Sequence, residues 1–178
     1  TERPEPRKVN LSWAELASDP VIDRYDEMLA PTHFVPSSKR IERVGRRIAK
    51  YHDPAEAVIE AARWAQAELQ YVPGTTGVHS SGVDALREGR GVCQDFAHLT
   101  LILLRGMGIP ARYVSGYFHP QRDAKLGDTV EGQSHAWIQA WTGDWWHFDP
   151  TNDTEINEQY ISVGTGRDYG DVTPLKGI

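Results

Sequence analysis

An α+β fold with an antiparallel sheet is what this sequence predicts, on three observations. Helical periodicity dominates the chain up to Pro110. Strand-like alternation, rich in aromatic residues, dominates after it. Helices and strands segregated in this way favour α+β over an alternating α/β arrangement. The third observation is length: 178 residues fit one domain and can bury a core without disulfides or a structural metal.

The elements follow in order. Residues 1–10 carry prolines and mixed charge and read as a flexible lead-in, with 11–178 as a single domain. A short helical pattern from Leu11 to Met28 is broken by Pro20. Ser37 or Ser38 caps a helix with Ile41, Val44 and Ile48 on one face; Lys39, Arg40, Arg43, Arg46, Arg47 and Lys50 read as its solvated side. The next helix starts at Asp53, with Pro54 at the first position and Glu56 completing a capping box. Val58, Ala61, Ala62, Ala65 and Leu69 then recur at helical spacing. Residues 73–82 read as a loop, and Asp84 to Arg87 as one helical turn. Cys93 to Met107 forms a second clear helix, with Phe96, Leu99 or Thr100, Leu103, Leu104 and Met107 as its apolar stripe; Gly106, Gly108 and Pro110 end it. Strands are expected over 112–118, 135–141 and 145–148, with a further one over 160–163 and a polar loop over 119–134.

Composition narrows the function. The formal net charge of −6, with scattered cations, argues against a nucleic-acid partner. The longest apolar run, Leu101 to Leu104, is too short to span a bilayer, so no membrane role is expected. A single cysteine forbids an intrachain disulfide and a Cys-based zinc cluster. The lone thiol, with no apolar leader, predicts a cytoplasmic location. The first residue is not Met, which reads as a piece of a longer chain.

A lone cysteine ahead of an apolar helix is most often a small buried hydrophobe. Here the Gly89-Arg90-Gly91 lead-in suits a tight turn, and Cys93 opens the helix. The unpaired amides and the dipole of a helix start favour a thiolate, and the same amides can hold an oxyanion on an attacked carbonyl. Asp95 reads as a helix cap, and His98 lies on a different helical face from the thiol.

A cysteine nucleophile needs a base that later serves as acid, and histidine is the usual choice. His135, Trp137, Gln139 and Trp141 share one strand face; Trp145, His147 and Asp149 share a face on the next strand. Gly143 suits a left-handed position closing a loop of Trp141, Thr142 and Gly143. That loop pairs Ala140 with Asp144 and sets His135 directly opposite Asp149, so residues of equal parity must pair. Asp149 can then orient His135. His147 is the second candidate base, against the plainer reading of a packed strand histidine.

The segments GRGVCQDFAHLTLILLRGMGIPARYVSGY, SHAWIQAW and WWHFDPTND together resemble the transglutaminase-like superfamily, most closely its bacterial branch of candidate cysteine proteases. VGTGRDYGDVTPLKG is similar to the closing segment of that branch, and the resemblance runs from about residue 35 to the end. It implies a papain-like core, the Cys-bearing helix packed on the sheet that supplies His and Asp, with 11–178 as one catalytic domain. By motif, Cys93 is the nucleophile, His135 the base and acid, and Asp149 the orienting carboxylate. The oxyanion-hole tryptophan of some animal transglutaminases has no clear match; Tyr71, in LQYVPG, stands as second donor beside the Cys93 backbone amide, or else packs under the helix. Proteins of this branch often carry a β-rich N-terminal domain, which is missing from this chain. The resemblance also suggests that the Arg167 to Asp171 segment folds back beside the cleft, against the plainer reading of surface ion pairs worth little.

These readings predict cysteine-dependent acyl transfer on a peptide or protein amide through a thioester, with hydrolysis preferred because nothing marks an amine site. No cofactor and no metal is called for; Asp149, Asp153 and Glu155 lack calcium-loop spacing. The alternatives are transamidation to an amine acceptor, and a non-catalytic peptide-binding module built on the tryptophans between 137 and 146. Thiol redox sensing would lack a resolving cysteine within the chain.

Overall fold

The computed structural model describes residues 9–74, 80–120 and 132–173. The N-terminal lead-in lies outside them for residues 1–8, as do residues 75–79 of the 73–82 loop, 121–131 of the 119–134 loop, and 174–178.

The helical half contains α1 (Trp13–Leu16), α2 (Asp19–Leu29), α3 (Lys39–Tyr51), α4 (Pro54–Glu68), α5 (Gly82–Glu88) and α6 (Cys93–Gly106). Pro20 divides the first two by standing in the opening turn of α2. The capping box of α4 forms as expected: Asp53 Oδ1 accepts from the Glu56 amide at 2.9 Å and Glu56 Oε2 from the Asp53 amide at 3.3 Å. α5 is longer than the one turn expected. Ser81 and Asp84 make another reciprocal box, at 3.2 and 3.1 Å, which starts the helix two residues earlier. It ends at Gly89, whose φ of +67° is the left-handed region glycine enters without strain.

α6 is the core of the molecule. Every residue from Phe96 to Arg105 is buried, and the helix lies among α3, α4, α5 and the sheet. Leu99, Leu101 and Leu104 have no exposed surface, and each contributes about 1.5–3 kcal/mol by leaving water. At its far end the buried Arg105 guanidinium donates to the carbonyls of Ala30, Ala111 and Arg167. Burial lowers its pKa to about 10, opposed by the Asp168 charge. This one side chain ties α2, the sheet and the C-terminal segment to the central helix.

The main sheet has five antiparallel strands in the order β6-β5-β4-β3-β7: β3 (Ala111–Phe118), β4 (Gln133–Trp141), β5 (Trp145–Asp149), β6 (Thr154–Glu155) and β7 (Tyr160–Gly166). Antiparallel pairing was expected; the extension of β7 to Gly166 was not. A separate pair of two-residue strands, β1 (Gln70–Tyr71) and β2 (Arg90–Gly91), runs parallel and sets Tyr71 across from Gly91. The short 3₁₀ helix η1 (Tyr169–Val172) closes the described chain.

The β4–β5 register differs from the expected one. Trp141 pairs with Trp145, and Thr142, Gly143 and Asp144 form the turn, with Gly143 at φ +114°. Keeping both tryptophans in the ladder lets them flank Tyr25 of α2, at ring distances of 4.5 and 5.7 Å, and lets Arg112 lie 4.3 Å over Trp145. The register therefore moves by two residues and His135 is not directly opposite Asp149. A shift of two leaves every side chain on its face, so equal parity still pairs and the two residues become diagonal neighbours.

Candidate active site

The site is assembled from the start of α6, the start of β4 and the end of β5. Cys93 is the first residue of α6, partly buried and a free thiol. The turn before it is held by Asp95, whose Oδ2 accepts from the Val92 amide at 2.8 Å. The cap reading of Asp95 is thus realised. Gly91 must be glycine for space: a Cβ there would stand 2.6 Å from the Asp95 Cβ. Gly91→Ala is expected to lower stability by about 1–3 kcal/mol through this overlap, measurable by urea denaturation; an unchanged midpoint would contradict it.

His135 is hydrogen-bonded on both sides. Its Nε2 meets Asp149 Oδ2 at 2.7 Å, and the imidazole also bonds the Cys93 sulfur. Burial pulls the imidazole pKa down, but the hydrogen bonds and charges of Asp149 and Cys93 outweigh it and raise it to about 9. The diagonal placement suffices for this contact because a histidine reaches across one strand spacing.

Asp149 is fully buried. Besides His135, Oδ2 accepts from Asn152 Nδ2 at 2.7 Å and Tyr160 Oη at 2.8 Å. Oδ1 accepts from the amides of Thr151 at 2.8 Å and Asn152 at 3.3 Å. Burial pushes the carboxyl up, while the His135 bond and charge, with Tyr160 and Asn152, hold it below its usual range. It is therefore an anion fixed by five donors, able to hold one tautomer and one orientation of the imidazole. Tyr160 in turn is raised by burial, then by the Asp149 charge, so it stays a donor.

Asn152 and Tyr160 were not singled out from the sequence. The Asp-Pro-Thr-Asn run carried a usable signal, since an Asp at a strand end commonly accepts from amides just beyond it. Tyr160 carried none, because its place beside Asp149 depends on β7 closing against β3. Phe118 completes the surround, with ring centroids 5.7 Å from His135 and 4.8 Å from Tyr160.

The remaining candidates fall into place. His147 accepts from the Trp137 indole at Nδ1, 2.9 Å, and its Nε2 lies 2.6 Å from Gln139 Nε2. Burial, then Arg112, lowers its pKa. With both nitrogens engaged it is a packed strand histidine. His98 is buried in α6; burial, then the Arg105 charge, pushes it down to about 3. Its Nε2 accepts from the Tyr169 amide at 3.2 Å, so the C-terminal segment does fold back, onto α6. The Arg167–Asp171 pair at 2.9 Å is solvent-facing and adds little. Tyr71 is half exposed, and its phenol is raised by burial, then by the Cys93 charge. The parallel β1–β2 pair is what brings it near the nucleophile. Among the described residues no three His, Cys, Asp or Glu gather to hold a metal, and no helix is long and apolar enough to cross a membrane.

The family model of the transglutaminase-like superfamily matches residues 42–150, more than half of the chain. The chain belongs to the transglutaminase-like superfamily. Among solved structures it is similar to a candidate cysteine protease from Cytophaga hutchinsonii, with a TM-score of 0.73 and 27% identity over 92% of this chain and 55% of that one. It is also similar to the periplasmic domain of TgpA from Pseudomonas aeruginosa, with a TM-score of 0.54 and 26% identity over 78% of this chain and 50% of that one. In sequence, an uncharacterized protein of Mycobacterium leprae is 68% identical over the whole chain, which spans 64% of that protein. A protein-glutamine gamma-glutamyltransferase of Pseudomonas aeruginosa is 28% identical over 79% of this chain and 22% of that protein. The chain thus spans less than two thirds of each of these relatives. The α+β fold expected from the sequence is the fold of this superfamily.

Proposed function

We infer that this domain carries out acyl transfer on amides through a thioester at Cys93, and that water is the acceptor. The observation carrying this reading is the unbroken line from the Cys93 sulfur through His135 to the buried Asp149. The thiolate attacks the amide carbon, and the oxyanion is held by the Cys93 amide and the Tyr71 hydroxyl. The C–N bond then breaks, and the His135 imidazolium gives its proton to the leaving amine. A water molecule attacks the thioester as His135 takes its proton, releasing the acid and the thiol.

The similarity to a candidate cysteine protease supports hydrolysis. The relative named as a glutamyltransferase supports a second reading, in which a primary amine resolves the thioester. The substrate is a peptide or other amide.

The test is incubation of the protein and of Cys93→Ala with a peptide library, with and without a primary amine, read by mass. Shortened or deamidated peptides from the parent alone are expected. Amine adducts in preference to hydrolysis would move the assignment to transamidation, and identical output from Cys93→Ala would refute both.

A further inference from the structure

A groove next to His135 has no part in the chemistry above. It holds about 460 Å³, within the size range of ligand sites. Ser134 of β4, Ser115 and Tyr117 of β3, Val163 and Gly164 of β7, and Val172 of η1 line it. None of the described lining residues is charged, on a chain in which charged residues make up 25%. A carboxylate or ammonium entering here would lose water without gaining a counter-charge from these residues.

Exposed apolar surface is concentrated at the same place. Tyr117, Ile161 and Val163 are 49%, 60% and 68% exposed. Tyr117 and Ile161 are a cross-strand pair, and Val163 lies on the same strand as Ile161. β7 is also a sheet edge, and among the described residues no strand pairs with its outer side. Native edges are usually closed to further pairing by charge, proline or a bulge. The segment from Tyr160 to Gly166 has no charge and no proline; the register irregularity against Ser115 and Gly116 is the one such device present.

The groove's walls belong to the strands that carry His135 and Tyr160. Ser134 directly precedes His135, and Tyr160, at the start of β7, donates to Asp149. Tyr113 shares a sheet face with Ser115 by alternation and lies against His98 of α6, close enough to Cys93 for the thiolate charge to bear on its phenol.

We propose that this groove and the adjoining β7 edge receive the acyl-donor substrate as an extended, uncharged peptide segment with aliphatic side chains. The orientation toward Cys93 rests on the acyl-transfer reading above. The peptide backbone pairs with the open edge of β7, and its side chains contact Tyr117, Ile161 and Val163.

Binding is measured on Cys93→Ala, which cannot turn substrate over, by fluorescence anisotropy with labelled neutral aliphatic, acidic and basic peptides. Neutral aliphatic peptides are expected to bind best. Val163→Glu and Ile161→Glu, both at exposed positions, should each weaken them by about tenfold or more, as should N-methylation of alternate peptide amides. Ile22→Glu, an exposed aliphatic position on α2, should change binding by less than about twofold. Iodoacetamide should alkylate Cys93 in Val163→Glu at a rate within about twofold of the parent, which reports an intact site. Equal binding of charged peptides, absence of binding, or an effect of both glutamate variants below about twofold would overturn the proposal. The binding assay contains no thiol, so an inactive parent protein would sink the acyl-transfer reading separately.

Discussion

Replacing Asp149 with Ala is expected to lower kcat/KM by about 10³–10⁴-fold and to destabilise the domain by about 3–5 kcal/mol. The two losses have one cause. The carboxylate is fully buried and receives five hydrogen bonds, from His135, Asn152 twice, Thr151 and Tyr160. Truncation leaves those donors in a site from which water is excluded, and each unsatisfied polar group costs about 1–3 kcal/mol unless the structure relaxes. The imidazole meanwhile loses the partner that fixes its tautomer and orientation. Asp149→Asn separates the effects. The amide keeps the volume and one acceptor oxygen, so most stability should return. Its NH₂ cannot accept from His135 Nε2, so activity should stay low. Urea denaturation and peptide turnover measure the two losses. A stability loss below about 1 kcal/mol for the alanine variant would show that the donors find other partners.

How far this site was legible in the sequence depends on the range of each interaction. Cys93 at a helix start, with Gly91 and Asp95 around it, is set by residues adjacent in the chain, and the lead-in was readable. The shared face of His135 and Asp149 followed from alternation and from a turn at Gly143. The register itself did not follow, because it is decided by Trp141 and Trp145 packing on Tyr25, a helical residue far away in sequence. A two-residue slip is invisible to a face argument, and for that reason the error left the site intact. The β1–β2 pair is too short to leave any alternation in the sequence, yet it positions Tyr71. Tyr160 is the clearest omission: its hydroxyl bonds Asp149 only because β7 returns to pair with β3. The capping boxes make the same point. The α4 box was read in full, whereas the equivalent Ser81–Asp84 box lay at the end of a segment whose glycines and serines suggested a loop.

His135→Ala is expected to reduce acyl transfer by about 10²–10⁴-fold and to change the shape of its pH profile. In the parent protein the imidazole pKa is raised to about 9, from an ordinary value of 6.5. The protonated form is therefore kept through neutral pH, beside the sulfur and ready to protonate a leaving amine. As pH rises through about 9 that proton is lost, and the rate should fall on the alkaline side. Stability follows the same linkage. A group whose folded pKa exceeds its unfolded value binds more protons when folded. Its stabilising contribution is complete below 6.5 and is lost as pH climbs through about 9. The parent should thus lose stability relative to His135→Ala across that window, and only there. In the alanine variant the alkaline fall in rate should vanish. Alkylation of Cys93 should then be slower than in the parent, because the imidazole that bonds the sulfur has gone. Parallel profiles of alkylation, turnover and urea midpoint on the two proteins test all three consequences together. Coincident alkylation profiles would mean that His135 does not act on the sulfur, and Cys93 would then lack the base on which the whole reading depends.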